Sequence, residues 1–113
     1  MRSARLKGHL DALVLAVLAD QPAHGYAILT ALKLRTGNSV DLEGGTLYPT
    51  LHRLEAAGLI SSDWSASGGR RRRVYTIEDK GRRVLADERS LWQEFVQALQ
   101  PLLGPPLDGG ATR

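Results

Sequence analysis

The residues with the clearest chemical potential in this 113-residue chain are cationic. Arg70 to Arg73 form an unbroken run, and Lys80, Arg82 and Arg83 follow with only Glu78 and Asp79 opposing them; Arg2, Arg5 and Lys7 open the chain without an acid. Guanidinium and ammonium groups at this density neutralise phosphates and release their counterions, so local clustering counts for more than the net charge of +3. A solvated face that is merely cationic has the same composition. The place of the run within a fold must decide between the two.

Other site chemistry is poorly supplied. The chain has no cysteine, which removes disulfides, thiolate metal sites and thiol nucleophiles and fits a reducing, cytoplasmic setting. It carries no Gly-x-Ser-x-Gly, no phosphate-binding loop and no dinucleotide fingerprint, so a small hydrolase would lack an activated nucleophile. We therefore expect no enzyme and no cofactor. His9, His24 and His52 are far apart and no pair has the spacing of a metal motif, so no metal is expected; His24 is placed to cap a helix or meet the backbone. The longest apolar stretch, Leu13 to Ala19, is much shorter than the ~20 residues of a membrane span and lacks a well-placed cleavage site. A soluble protein without a membrane partner is expected.

The elements that must position the cations are legible from periodicity. Leu10, Leu13, Val14, Val17 and Leu18 share one helical face. The stretch Asp20 to Gly25 breaks it, and Tyr26, Ile28, Leu29 and Leu32 resume helical spacing to about Arg35. After a turn at Thr36 to Ser39, Val40-Asp41-Leu42 permits a very short strand. A third helix keeps Leu47, Leu51 and Leu54 in line, with Thr46 as its N-cap and Pro49 inside the first turn. Gly58 suits the left-handed position after that helix, and Leu59 can then touch Leu54, as in a Schellman ending.

Leu59 to Trp64 and Val74 to Ile77 read as strands joined by the Gly/Ser segment Ser65 to Gly69, a hairpin whose tip holds the arginine run. Gly68 and Gly69 allow the tip to approach a partner closely, and Arg73 starts the returning strand. Beyond Asp79, Val84 and Leu85 and then Leu91, Trp92, Phe95, Val96 and Leu99 recur every three to four residues, interrupted by Glu88, until Pro101 ends the regular helix. Three short helices, a hairpin and a long amphipathic helix predict a mainly α fold with a small β-hairpin wing. The divisions are a winged helix-turn-helix over 1–78, a C-terminal helix over 79–103 and a flexible tail over 104–113.

Specific residues then add a likeness. Ala23-His24-Gly25-Tyr26, the block Gly45-Thr46-Leu47-Tyr48-Pro49-Thr50-Leu51-His52-Arg53-Leu54-Glu55, Gly58-Leu59-Ile60, Gly69-Arg70-Arg71-Arg72 and Tyr75 together resemble the PadR family of bacterial transcriptional regulators. The likeness covers roughly Leu10 to Leu99, and the Gly-Thr-Leu-Tyr-Pro block discriminates far better than a generic helix-turn-helix pattern. It implies a winged helix that binds double-stranded DNA, a dimerising last helix as in the short-chain branch, and repression relieved by a small molecule or other cue. One departure is Glu78-Asp79, where relatives often place Thr or Ser at the start of the last helix; capping would fall to Asp79 or to a carboxylate near the helix dipole.

On that frame the third helix reads the major groove with Thr46, Pro49, Thr50, His52 and Arg53, and Arg53 is the best candidate for a guanine or a phosphate. Tyr48 and Tyr26 are either core aromatics or phosphate contacts, and His24 lies beside them. Arg70, Arg71 and Arg72 reach phosphates or a narrow minor groove from the wing. The stripe Leu91, Trp92, Phe95, Val96 and Leu99 is too apolar to face water and packs on its own domain or on a second copy. A homodimer would set two reading helices about one DNA turn, ~34 Å, apart on a palindromic operator. Trp92 stands where some short relatives stack a flat aromatic effector, and a plain dimer-core role fits it equally. The competing reading is a winged-helix protein-protein adaptor without specific DNA binding.

Overall fold

Leucine and valine drive the first helix, α1 (Leu10–Asp20), in the computed structural model, which describes Leu6, residues 8–66 and residues 69–104. The expectations placed on Arg2, Arg5, Lys7, Gly68 and the tail from residue 105 onward lie outside these residues. Leu10, Val14, Leu15, Val17 and Leu18 are buried, so α1 runs through the middle of the core. Leu13 is only half-buried and turns toward the last helix instead.

A two-residue strand, β1 (Ala23–His24), leads into α2 (Gly25–Arg35). His24 caps the helix by accepting the Ala27 N–H on Nδ1 at 3.2 Å. Gly25, Ile28 and Leu32 form the buried face; Leu29 is half-buried, and Tyr26 at 73% exposed is not a core aromatic, the other of its two readings. The helix ends as Asn38 N–H reaches the Lys33 carbonyl at 2.8 Å and Gly37 N–H the Leu34 carbonyl at 3.3 Å. Val40 and Leu42 are buried but form no strand, since no neighbouring strand edge receives them.

Helix α3 (Gly44–Ala56) starts earlier than Thr46 would have it. Glu43 is the N-cap, and its carbonyl accepts both the Thr46 and Leu47 N–H groups at 3.0 Å. Thr46 is therefore inside the first turn, and Pro49 lies beyond that turn, leaving the Gly45 carbonyl without its helical donor. The far end matches the Schellman expectation: Gly58 has φ +79°, Leu59 N–H meets the Leu54 carbonyl and Gly58 N–H the Glu55 carbonyl, each at 3.0 Å, with both leucines buried.

Strands β2 (Ile60–Ser65) and β3 (Arg72–Ile77) form the wing, and β1 joins the other edge of β3, giving the antiparallel order β1-β3-β2. Ala23 lies opposite Tyr75 and His24 opposite Val74. Helix α4 (Asp79–Leu103) packs its first turns against the base of the wing: Gly81 and Leu85 are buried, and the Glu78 N–H bonds the Leu59 carbonyl at 2.9 Å. Glu78 is the N-cap residue without a side-chain cap bond; its carboxylate accepts the Ser61 hydroxyl at 2.6 Å, while Asp79 places a negative charge in the first turn. Pro101 does not end the helix. The carbonyl it deprives of a donor belongs to exposed Gln97, where water can serve, and the helix continues to Leu103 before Gly104 turns out at φ +77°.

Candidate nucleic-acid interface

The site is built around the face of α3 that does not enter the core. Leu47, Thr50, Leu51 and Leu54 are buried, and Gly45, Tyr48, Pro49, His52, Arg53 and Ala56 form the exposed stripe opposite them. Thr50 is a correction to the expected reading set: it is 4% exposed, and its hydroxyl donates to the Thr46 carbonyl at 3.2 Å, so it faces inward. Thr46 is half-buried. Gly45 and Ala56 belong to the outward face but carry no reactive group, so residue type alone does not flag them.

Arg53 is not a free cation. It pairs with Asp11 of α1 through Nη2 and Oδ1, which orients its guanidinium beside α3 while leaving the side chain 57% exposed. A ligand that takes up Arg53 must share or replace that carboxylate.

Tyr48 is neither a core residue nor a free one. Its ring lies over Gly25 at the start of α2 so closely that a Cβ there would stand 2.3 Å from the phenol oxygen, yet Tyr48 remains 44% exposed. Glycine at 25 is what lets the Tyr48 ring lie over the start of α2. Tyr48 and exposed Tyr26 line the same groove.

From the other side the wing supplies cations of unequal availability. Arg73 Nε donates to Ser62 Oγ at 2.8 Å, Ser62 donates to Glu55 of α3 at 2.7 Å, and the Arg73 guanidinium lies 3.8 Å from the same carboxylate. Arg73 thus stitches the wing to α3. Arg72 begins β3 rather than sitting at the tip, because it pairs with Ser65. Arg70 and Arg71 occupy the connecting loop and are exposed.

Arg72 Nη1 lies 2.9 Å from His24 Nε2. In the tautomer that caps α2, Nδ1 is the acceptor and Nε2 carries the proton, so two donors face one another. An oxygen bearing several lone pairs, such as that of a phosphate, can accept from both.

Tyr26, Tyr48 and His52 on one side and Trp64, Arg70 and Arg72 on the other line an open groove of about 700 Å³. Among the described residues lining it none is acidic. Buried Tyr75 contributes to its floor; burial pushes its phenol above the ordinary 10.0, partly offset by Arg73, so it stays neutral at physiological pH. Trp64 is the residue that sequence reasoning misses: its type and place suggest only a strand, although it is 56% exposed and faces the groove.

A second, apolar groove of about 900 Å³ runs between α1 and α4. Leu13 and Ala16 form one wall and Leu91, Trp92 and Phe95 the other, with these last three each more than half exposed. Trp92 stacks on Phe95 with ring centres 6.0 Å apart and meets the edge of His9 at 6.1 Å. Val96 and Leu99 follow on α4, half-exposed.

A helix-turn-helix whose second helix faces outward beside a cationic two-stranded wing is the winged-helix architecture of DNA-binding proteins. The family follows from comparison: the model of the transcriptional regulator PadR-like family matches residues 14–87, and the chain belongs to that family of DNA-binding regulators rather than to any enzyme family. It is 46% identical over 79 residues to transcriptional regulator Rv3488 of Mycobacterium tuberculosis, covering 70% of this chain and 71% of that one. A PadR family transcription regulator from Clostridium difficile R20291 superposes with a TM-score of 0.74 at 30% identity, covering 85% of this chain and 99% of that one. A transcriptional regulator from Clostridium thermocellum shares the fold with a TM-score of 0.80 at 23% identity, over 88% and 98% of the two chains. Among the described residues no helix is long and apolar enough to cross a membrane.

Proposed function

We propose that this regulator is a homodimeric repressor that reads a palindromic operator through the outward face of α3 and grips the adjoining backbone with its wing. The observation that carries this reading is the groove, without an acid among its described lining residues, in which His24, Tyr26, Tyr48 and His52 face Arg70 and Arg72. His52 and Arg53 are exposed polar groups of α3 long enough to reach base edges, with Pro49 and Thr46 shaping the contact. Tyr26, Tyr48, His24, Arg70, Arg71 and Arg72 hold phosphates and so set register without reading sequence.

The exposed stripe of Leu91, Trp92 and Phe95, continued by Val96 and Leu99, supports a second copy as the cover of α4, since an apolar face of this kind is costly in water. Two copies related by a two-fold axis would bring two α3 helices to half-sites about one DNA turn apart, ~34 Å. The α1/α4 groove would then lie at the seam, where stacked Trp92 and Phe95 could receive a flat aromatic effector that biases repression.

The test begins with an operator selected from a random duplex pool. Affinity should fall steeply with salt, and Arg70→Ala with Arg71→Ala should lower the slope by about 0.9 for each phosphate left unneutralised, equally for selected and unselected DNA. Arg53→Ala should instead cost about 1–3 kcal/mol on the selected sequence and blur its preference at one base position. Wild-type affinity in both variants would refute this assignment and favour an adaptor role.

A further inference from the structure

We propose that Trp64 is a positioning residue for DNA binding: its indole holds the Arg71 guanidinium extended from the wing without using up its hydrogen-bond donors. The inference rests on the DNA-binding reading above and adds to it a residue and a mechanism. Trp64 lies directly across from Arg73 in the β2/β3 register, and the guanidinium carbons of Arg71 and Arg73 stand 4.9 and 5.5 Å from its ring centre. The indole is 56% exposed, so hydrophobic burial does not account for a tryptophan at this position.

Arg53, Arg73 and Arg71 are held near the groove by different chemistry. Arg53 is held by the Asp11 carboxylate, and Arg73 by Ser62 and Glu55; both pairings occupy N–H donors and offset positive charge. Arg71 is held by a π face, and among the described residues none accepts a hydrogen bond from it. A cation over a ring is attracted by the quadrupole while its five in-plane N–H groups and its full charge stay available.

That difference matters because Arg71 sits in a Gly/Ser-rich connection, with Gly69 at φ +76°, where a long side chain would otherwise give up much rotamer freedom on meeting a phosphate. Trp64 restricts that freedom before DNA arrives and keeps the cation at full strength.

The experiment is a double-mutant cycle with Trp64→Ala and Arg71→Ala, read as affinity and salt slope on a mixed-sequence duplex of about 30 base pairs, with thermal unfolding in parallel. Each single change should weaken binding about two- to five-fold, the range of an exposed cation-π contact, and lower the salt slope. The double variant should bind no worse than Arg71→Ala alone, because the indole acts through that arginine. Trp64→Phe, which keeps a π face on the strand, should retain most of the affinity, and it preserves the test if the alanine variant unfolds. Losses that multiply independently, or an unchanged slope in Trp64→Ala, would overturn the role of Trp64 while leaving DNA binding intact. Failure of the wild-type protein to bind any duplex in a salt-dependent way would remove both readings.

Discussion

Gly81→Ala should destabilise the protein, although helix propensity alone predicts the reverse. Replacing glycine by alanine inside a helix ordinarily gains up to about 1 kcal/mol. Here the new Cβ would stand 2.2 Å from the Leu59 carbonyl oxygen and 2.9 Å from Ile77 Cγ1, closer than the 3.0 Å that real Cβ atoms respect. The carbonyl is backbone at the wing base and already accepts the Glu78 N–H at 2.9 Å, so α4 must retreat by roughly 0.8 Å. Retreat strains that bond, worth about 1 kcal/mol, and loosens packing around Ile77 and Leu85 at a cost of about 1–3 kcal/mol. After the propensity gain, a net loss of about 1–3 kcal/mol remains. Urea unfolding followed by far-UV circular dichroism, at fixed protomer concentration, reads this as a lowered midpoint with unchanged slope. A midpoint equal to or above wild type would show that the close approach of α4 to the wing base is not a constraint. Gly25→Ala is the contrasting control: its Cβ would meet the tip of Tyr48 at 2.3 Å, but a half-exposed phenol can swing away. Its stability should change by less than about 0.5 kcal/mol while DNA affinity falls, because the displaced phenol leaves the groove.

Glutamates in place of Trp92 and Phe95 should give a monomer in sedimentation equilibrium, since charges cannot be buried unpaired at an apolar seam; a dimer that persists would move the interface off α4. Asp11→Asn should leave stability nearly unchanged, as exposed ion pairs contribute about 0–1 kcal/mol. The same change frees Arg53 and should tighten binding to any duplex about two-fold or more, measured by fluorescence anisotropy. Weaker binding would mean instead that the carboxylate orients Arg53 for its contact.

Much of this protein could be read from residues in order along the chain. The Leu47, Leu51 and Leu54 spacing located α3, Gly58 and Leu59 defined how it stops, and the arginine run between two β-prone segments located the wing, because periodicity and turn chemistry are local properties. The same block of residues carried the likeness to the family that the comparison then showed. Tertiary structure decided what depends on neighbours distant in sequence. Strand β1 has two residues and no period of its own, and exists because β3 offers an edge to Ala23 and His24. Tyr26, open to either a core or a surface reading, is exposed, and Thr50, expected on the reading face, is buried, because the direction in which a helix faces is set by what packs on it. The partners of the arginines were the least legible: Asp11 for Arg53, Ser62 and Glu55 for Arg73, and the indole of Trp64 for Arg71 come together only across elements. Composition supplied the cations, and the fold determined which are neutralised within the protein and which keep their charge and donors unpaired by a carboxylate.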